Sequence, residues 1–407
     1  MIGAVMRYRV PPVPPEATTS PEAEAAYLLE DGFVDTPAGG LADKLRRRGR
    51  LRIKYGVDPT APSVTWGWGV CLRRLRRFQE LGHTAVLVIG DFTARIGDPS
   101  GRTATRRQLD ADEVERYVQG CLASLRAILG PDNLEVRRNS EWLEPMDMAD
   151  VLRLTSQFTV AQMLERDDFR QRYEATQPIA ISELLYPMLQ GYDSVAITAD
   201  VELGGTDQFF NLLVGRDLQQ AAGQEPQVAL CAPLLVGTDG QRKMSQSYGN
   251  YIAVDHPPAE IFGKVMSIPD DAMDQYVALG TDLRPDEKER LTAELGGVRL
   301  KRRLAREMVT MFHGPEAAEA AEAEFDRVFV RHDAPSELEE SVTSERYVPR
   351  ILVDLGWATS LSDARRRIKG GGVKVDGQTL DDEHANLDPG TYVLQSGRRR
   401  FRRVTVK

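Results

Sequence analysis

The 407-residue chain reads as an α/β protein. It combines a doubly wound parallel-sheet domain, a helical middle domain and a small α+β domain at the C-terminal end. Three observations predict this. Ala85-Val86-Leu87-Val88-Ile89 is a continuous apolar run, the pattern of a strand covered on both faces. Around it strand, loop, helix and strand follow one another, as in α/β sheets. Beyond residue 255 the sequence turns mostly helical, and its last stretch changes the sign of its charge.

Residues 1–50 read as an irregular arm, Pro-rich at 10–15, followed by a helix near 21–29. A short strand at 51–55 runs into a loop at 56–63, then an amphipathic helix over 67–81 ended by Gly82. The strand at 84–89 leads to a loop rich in Gly, Asp and Pro at 90–101. A helix over 114–129, a strand at 134–138 and short helices at 147–156 and 158–166 follow. The sheet domain is expected to span 51–240, with a mobile loop and helical domain over 241–335. There, 300–311 and 315–329 read as long helices. The polar, acidic stretch 332–344 reads as a linker, and 346–407 as a separate small module.

Composition excludes several classes. The apolar fraction is 42 % and the charged fraction 28 %, as in water-soluble globular proteins. No run of about 18 uncharged apolar residues suggests a membrane span. The N-terminus does not read as a secretory signal, so a cytoplasmic location is expected. Cys71, Cys121 and Cys231 give neither a disulfide framework nor zinc spacing, and the 5 histidines are scattered. Net charge is −9, yet residues 346–407 hold 13 Lys and Arg against 7 Asp and Glu. An acidic body with a basic appendage suits binding of a polyanion.

Five stretches carry candidate chemistry. Gln241 to Asn250 joins Lys243 to a Ser- and Gly-containing run, so a mobile loop could close a cation over a polyphosphate. Asp58-Pro59-Thr60 precedes the start of a helix, where free N–H groups and the dipole attract anions. Asp98, in Gly97-Asp98-Pro99-Ser100-Gly101, is a carboxylate able to pair an ammonium group. Tyr186, Gln190 and Asp193 lie at i, i+4 and i+7, on one helix face. Gly204-Gly205 permits close approach of a ligand, and Asp207 after it suits a ribose diol. Read singly, each has an ordinary structural explanation: a turn, a cap or a solvated helix face.

Taken together and in this order, the stretches are much more specific. From about residue 30 onward the chain resembles the bacterial tyrosyl-tRNA synthetases, class I enzymes with a Rossmann-like catalytic domain. Lys243-Met244-Ser245 resembles their KMSKS loop. The spacing of Tyr186, Asp193 and Gly204-Gly205 favours the tyrosyl over the tryptophanyl member. The resemblance implies that Asp98, Tyr186 and Gln190 hold the amino group of tyrosine and that Asp193 accepts from the phenol. Gln208 lies near the carboxylate, and Asp207 and Gly205 near the ribose. Lys243 and Thr60 meet the phosphates of ATP, which enters with Mg²⁺. It also implies substrate contact for Lys54, nucleotide contact for Asp58, Gly67 and Trp68, and catalytic roles for Thr65 and Ser245. A homodimer is implied as well. The substrate carboxylate attacks the α-phosphate itself, so catalysis is positioning plus electrostatics.

The segment 360–377 reads as a capped basic helix, a glycine turn and a strand. It resembles the small RNA-binding fold of these synthetases. Arg365, Arg366, Arg367, Lys369 and Lys374, with the arginine run 398–403, suit a phosphate backbone and imply tRNA as partner.

The chain departs from the family pattern in two places. Class I enzymes of this kind carry His-x-Gly-His at the helix start, and here Thr65-Trp66-Gly67-Trp68 stands. Gln246 replaces the second lysine of the mobile loop. Both changes fall on nucleotide handling. The sequence leaves open whether Arg95 or Arg242 compensates, and whether Trp66 or Trp68 stacks on adenine or fills its space. It therefore leaves three readings: a tyrosine–tRNA ligase, a paralogue that binds or activates tyrosine or an analogue with weakened ATP handling, and a non-enzymatic RNA-binding protein.

Overall fold

Six strands make the first sheet: β1 (Val34–Thr36), β2 (Arg52–Val57), β3 (Thr84–Ile89), β4 (Leu134–Arg138), β5 (Val201–Gly205) and β6 (Val228–Ala232). Their spatial order is β1-β6-β5-β2-β3-β4. β2 to β6 run parallel, and β1 joins the edge antiparallel to β6. The computed structural model describes residues 8–99, 109–331, 338–397 and 400–407. It divides into two compact units, 1–318 and 319–407.

The apolar run behaves as its composition requires. Ala85, Val86, Leu87, Val88 and Ile89 are all buried, with β2 and β4 hydrogen-bonded on either side. From β2 the chain steps outward to β3 and β4, then returns to lay β5 on the other side of β2. The strand order therefore reverses between β2 and β5, and the crevice beyond their carboxyl ends is where ligands enter such sheets. The Trp66–Glu80 helix follows β2, capped by the Thr65 hydroxyl and burying Leu72, Leu75 and Phe78. The Ile181–Ala196 helix leads into β5, and the Phe209–Ala221 helix leaves it.

Several elements escape the sequence reading. β1 and the Gly40–Arg48 helix lie in the stretch expected to be an irregular arm. β5 and β6 stand where the sequence assigns no strand. The helix read over 315–329 ends at Phe325 and continues as a five-residue π-turn, Asp326–Val330.

Helices Pro258–Met266, Met273–Gly280, Pro285–Glu294 and Gly297–His313 confirm the helical reading of the middle of the chain. In the second unit the sheet order is β7-β11-β10-β8-β9, from β7 (Glu340–Thr343), β8 (Val373–Val375), β9 (Gln378–Thr379), β10 (Gly390–Ser396) and β11 (Arg400–Val406). Helices Val348–Asp354 and Leu361–Lys369 pack a core of Ile351, Leu352, Ile368, Leu394 and Val404. Of the linker expected over 332–344, residues 332–337 lie outside the described residues, and β7 corrects the rest. Its backbone pairs parallel with β11, and Glu340 binds Arg403 at 2.9 Å, so 340–343 form a sheet edge with an acid matched to an arginine.

Candidate active site

The carboxyl ends of β2 and β5 open into a cavity of about 490 Å³, a size that suits a small-molecule ligand. Of the expected site residues, Asp58, Thr60, Thr65, Gly67, Trp68, Asp98, Tyr186, Gln190, Asp193, Gly205, Asp207, Gln208, Lys243 and Ser245 all line it. Asp98 and Asp193 thus share one pocket, facing Lys243 and the helix start.

At the base, Tyr186 donates its hydroxyl to Asp58 (2.9 Å), and Thr93 donates to the other oxygen of that carboxylate (2.8 Å). Gly90 is required by this arrangement: a Cβ there would sit 2.0 Å from Asp58 Oδ1. Burial, then the neighbouring Asp58, pushes the Tyr186 phenol well above its ordinary pKa, so it stays a neutral donor. Asp193 is 4 % exposed and accepts from Trp142 Nε1 at 2.8 Å and Asn139 Nδ2 at 3.5 Å. Burial raises its pKa to about 7, against the lowering influence of Lys54.

Lys54 is a correction. It does not line the cavity but lies fully buried beneath it. Its ammonium binds Glu202 at 2.9 Å and donates to Gln190 O and Ser194 Oγ at 2.7 and 2.8 Å. A strand side chain in the middle of a covered sheet points into a layer of packing, and this cation survives there only because it is paired. It supports the pocket from beneath, through Gln190 and Ser194.

At the other end, Thr65 accepts from the Trp68 amide as helix cap. The segment before the helix is zipped to 252–254: Trp66 N donates to Ile252 O at 2.7 Å and Val254 N to Val64 O at 2.9 Å. Trp66 turns away from the cavity. Fully buried, it donates Nε1 to Gly280 O (2.9 Å) and meets Phe312 edge-on at 5.0 Å. Of the two indoles, Trp68 alone faces the pocket.

The lysine loop closes over the helix start. Gln246 donates to Ser63 O, and Lys243 Nζ reaches Asp207 at 2.6 Å. Asn250 ties the loop by accepting from Ser245 N at 2.9 Å and donating to Asp239 at 3.0 Å. Neither Arg95 nor Arg242 lines the cavity. Arg95 binds Glu144 (2.8 Å), and Arg242 binds Asp239 (3.2 Å) and covers Tyr248. Lys243 is the cation among the described lining residues, facing Asp58, Asp98, Asp193 and Asp207. Ser100, Gly101 and Arg102 lie outside the described residues.

In the second unit, Ser360 caps the basic helix through the Asp363 amide. Arg366 and Arg367 both bind the Asp363 carboxylate, at 2.6 and 3.1 Å, while Arg365 donates to Tyr347. Lys369 is exposed and Lys374 half-buried on β8. Of the arginine run, Arg400, Arg402 and Arg403 lie on β11. Arg402 and Arg403 pair with Glu339 and Glu340, whereas Arg398 and Arg399 lie outside the described residues.

Sequence reasoning missed Trp142, Asn139, Glu202, Asn211 and Arg166. Trp142, Asn139 and Arg166 come from elements distant in sequence from their partners, and Glu202 and Asn211, though nearer, meet Gln190 only through the fold.

Known proteins are similar to this chain in sequence and in fold. A model of the class I tRNA synthetases (W and Y) fits residues 46–330, and one of the S4 domain fits 348–392. The tyrosine–tRNA ligase of Thermotoga maritima is 49 % identical over 390 residues, covering 94 % of this chain and 97 % of that protein. That of Moorella thermoacetica is 47 % identical over 395 residues, covering 94 % and 96 %. A truncated mitochondrial tyrosyl-tRNA synthetase from Aspergillus nidulans superimposes with a TM-score of 0.61 at 22 % identity, over 76 % of this chain and 94 % of that one. The Archaeoglobus fulgidus enzyme complexed with L-tyrosine gives 0.59 at 20 %, over 74 % and 99 %. The chain belongs to the class I tRNA synthetases of the tryptophan and tyrosine group. Within that group, the two bacterial relatives nearly half identical to it are both tyrosine–tRNA ligases.

Proposed function

We propose that this chain is a tyrosine–tRNA ligase, which activates tyrosine with ATP to tyrosyl-adenylate and transfers it to tRNA. One observation carries the reading: Asp98, Tyr186, Gln190 and Asp193 line the same cavity as Lys243 and the start of the Trp66–Glu80 helix. Asp98 pairs the ammonium of tyrosine, with Tyr186 and Gln190 beside it. Asp193 accepts a hydrogen bond from the phenol. Gln208 sits at the carboxylate, and Gly205 and Asp207 at the ribose. The free N–H groups of the helix, Thr60 and Lys243 take the phosphates. Lys243 leaves Asp207 for the triphosphate as the two partners enter, a displacement that needs no new protein charge. Magnesium comes with ATP as part of that substrate.

The S4-type unit, with Arg365, Arg366, Arg367, Lys369 and Lys374, holds tRNA through its phosphates. A second copy of the chain covers the apolar side chains left exposed between 148 and 181. Tyrosine-dependent ATP–pyrophosphate exchange and charging of tyrosine tRNA test the proposal. Exchange without charging would leave activation alone.

A second reading is favoured by Trp68 and by the scarcity of lining cations. In it the amino acid is bound normally and the first step is slow. Exchange assays separate the two readings through kcat, with the tyrosine KM unchanged between them.

A further inference from the structure

Behind Asp98 lies a closed ring of four side chains that no feature of the sequence announces. Arg166 NH1 donates to Asn211 Oδ1 at 3.1 Å. Asn211 Nδ2 donates to Gln208 Oε1 at 3.0 Å. Gln208 Nε2 donates to Asp98 Oδ2 at 2.9 Å, and the other oxygen of Asp98 lies 3.6 Å from Arg166 NH2. A branch extends from it: Asn211 Nδ2 also donates to Gln190 Oε1 at 2.9 Å, and Gln190 Nε2 donates to Glu202 at 3.2 Å.

Two of the members are amides that could face either way, so the ring needs something to fix its direction. Arg166 supplies it. A guanidinium has donors only, so the atom of Asn211 that faces it must be the oxygen. The Asn211 amide then points its N–H groups at Gln208 and Gln190, both of which must offer oxygens. Gln208 is left with its own N–H groups toward Asp98. Arg166 is 5 % exposed, anchored by Asp168 at 2.7 Å and lying 5.0 Å from the Phe169 ring centre. It cannot turn away without giving up its contacts with Asp168 and Asp98.

We propose that Arg166 is the positioning residue of the amino-acid pocket. It keeps Asp98 an oriented anion and sets the amide directions of Asn211, Gln208 and Gln190, so that a ligand ammonium and carboxylate each meet the complementary atom. The proposal rests on the tyrosine reading above. It assigns to Arg166 an effect on the amino acid and none on the nucleotide.

The test is a split between kinetic constants. In Arg166→Met the KM for tyrosine in ATP–pyrophosphate exchange, and the calorimetric Kd for tyrosine without ATP, rise by roughly tenfold or more, the scale of a lost charge-assisted hydrogen bond. The KM for ATP stays within about twofold. Arg166→Lys recovers only part of the loss, since an ammonium keeps the charge but not the fixed fork. Arg166→Met with Asp168→Asn removes the acid that the first change leaves unpaired, and shows the same split if the single variant does not fold. Unchanged tyrosine constants, or equal rises for tyrosine and ATP, overturn the inference. Wild-type protein that binds no tyrosine at all overturns the proposed function and the inference together.

Discussion

Asp193 is a carboxylate buried where a charge is costly. Its pKa rises from 3.8 to about 7, on the order of 4 kcal/mol between its two forms. The folded chain thus holds the proton more tightly than the unfolded one. The cost of ionising Asp193 is absent below about pH 4, grows as the pH rises and is complete above about pH 7. Asp193→Asn removes that cost. The expected result is a gain in Tm over wild type that is larger at about pH 8 than at about pH 5. Tyrosine binding moves the other way. An ionised Asp193 is the better acceptor for a phenol, so wild-type affinity falls as the pH drops through about 7. Calorimetry across that range shows the fall in wild type and a flat, weak profile in Asp193→Asn. Lys54 illustrates what sequence could not convey. Its place in the strand is legible, yet its role turns on Glu202 and Ser194, which only the folded sheet brings beneath the pocket. Lys54→Met leaves the Glu202 charge buried without its cation, a loss of about 3–5 kcal/mol in denaturant titration.

Among elements, the sequence places some of those that bear the pocket and misses others, β5 above all. β3 announces itself by an apolar run and the Trp66–Glu80 helix by a cap, whereas β2 shows only alternation of apolar and polar residues. β1 and β5 carry weak patterns, and β6 is an apolar run of five that periodicity alone does not tell from a buried helix segment. A tight local constraint lies where the ends of β2 and β3 meet and Gly90 admits the Asp58 carboxylate. Gly90→Ala puts a methyl 2.0 Å from that oxygen, so Asp58 must swing and Tyr186 loses its acceptor. The expected outcome is a tyrosine Kd raised by about tenfold or more, measured by calorimetry, with a modest fall in Tm. The helix start makes the opposite prediction, a gain. Thr65→His with Trp68→His and Gln246→Lys adds donors and charge where the phosphates are proposed to lie. Under the slow-activation reading the exchange kcat rises by about tenfold or more, since each 1.4 kcal/mol is a factor of ten. Losing the Thr65 cap lowers stability by about 1 kcal/mol. An unchanged kcat would mean that the helix dipole and Lys243 already suffice.

At the scale of the whole molecule, two surfaces remain to be satisfied. Met148, Leu152, Val160, Tyr173 and Ile181 are 72, 62, 64, 66 and 75 % exposed, a concentration of large apolar side chains within one stretch of sequence. Under the proposed self-association the protein sediments as a dimer, and Leu152→Asp with Ile181→Asp shifts it to monomer. The second surface is polar and belongs to the C-terminal unit. Its basic helix carries Arg365, Arg366, Arg367 and Lys369 against the single acid Asp363, so a net positive face survives the internal pairing. The Arg366 side chain is 79 % exposed and Lys369 is exposed too, open to incoming phosphates. Reversing both, Arg366→Glu with Lys369→Glu, should therefore weaken tRNA binding without touching the adenylation pocket. The KM for tRNA in charging rises, and the slope of log affinity against log salt falls by about one for each phosphate that the variant no longer neutralises. Tyrosine-dependent exchange, which needs no tRNA, stays at its wild-type rate. If charging were equally insensitive to the two reversals, tRNA would be held elsewhere, and the positive balance of this unit would be no more than a solvated face.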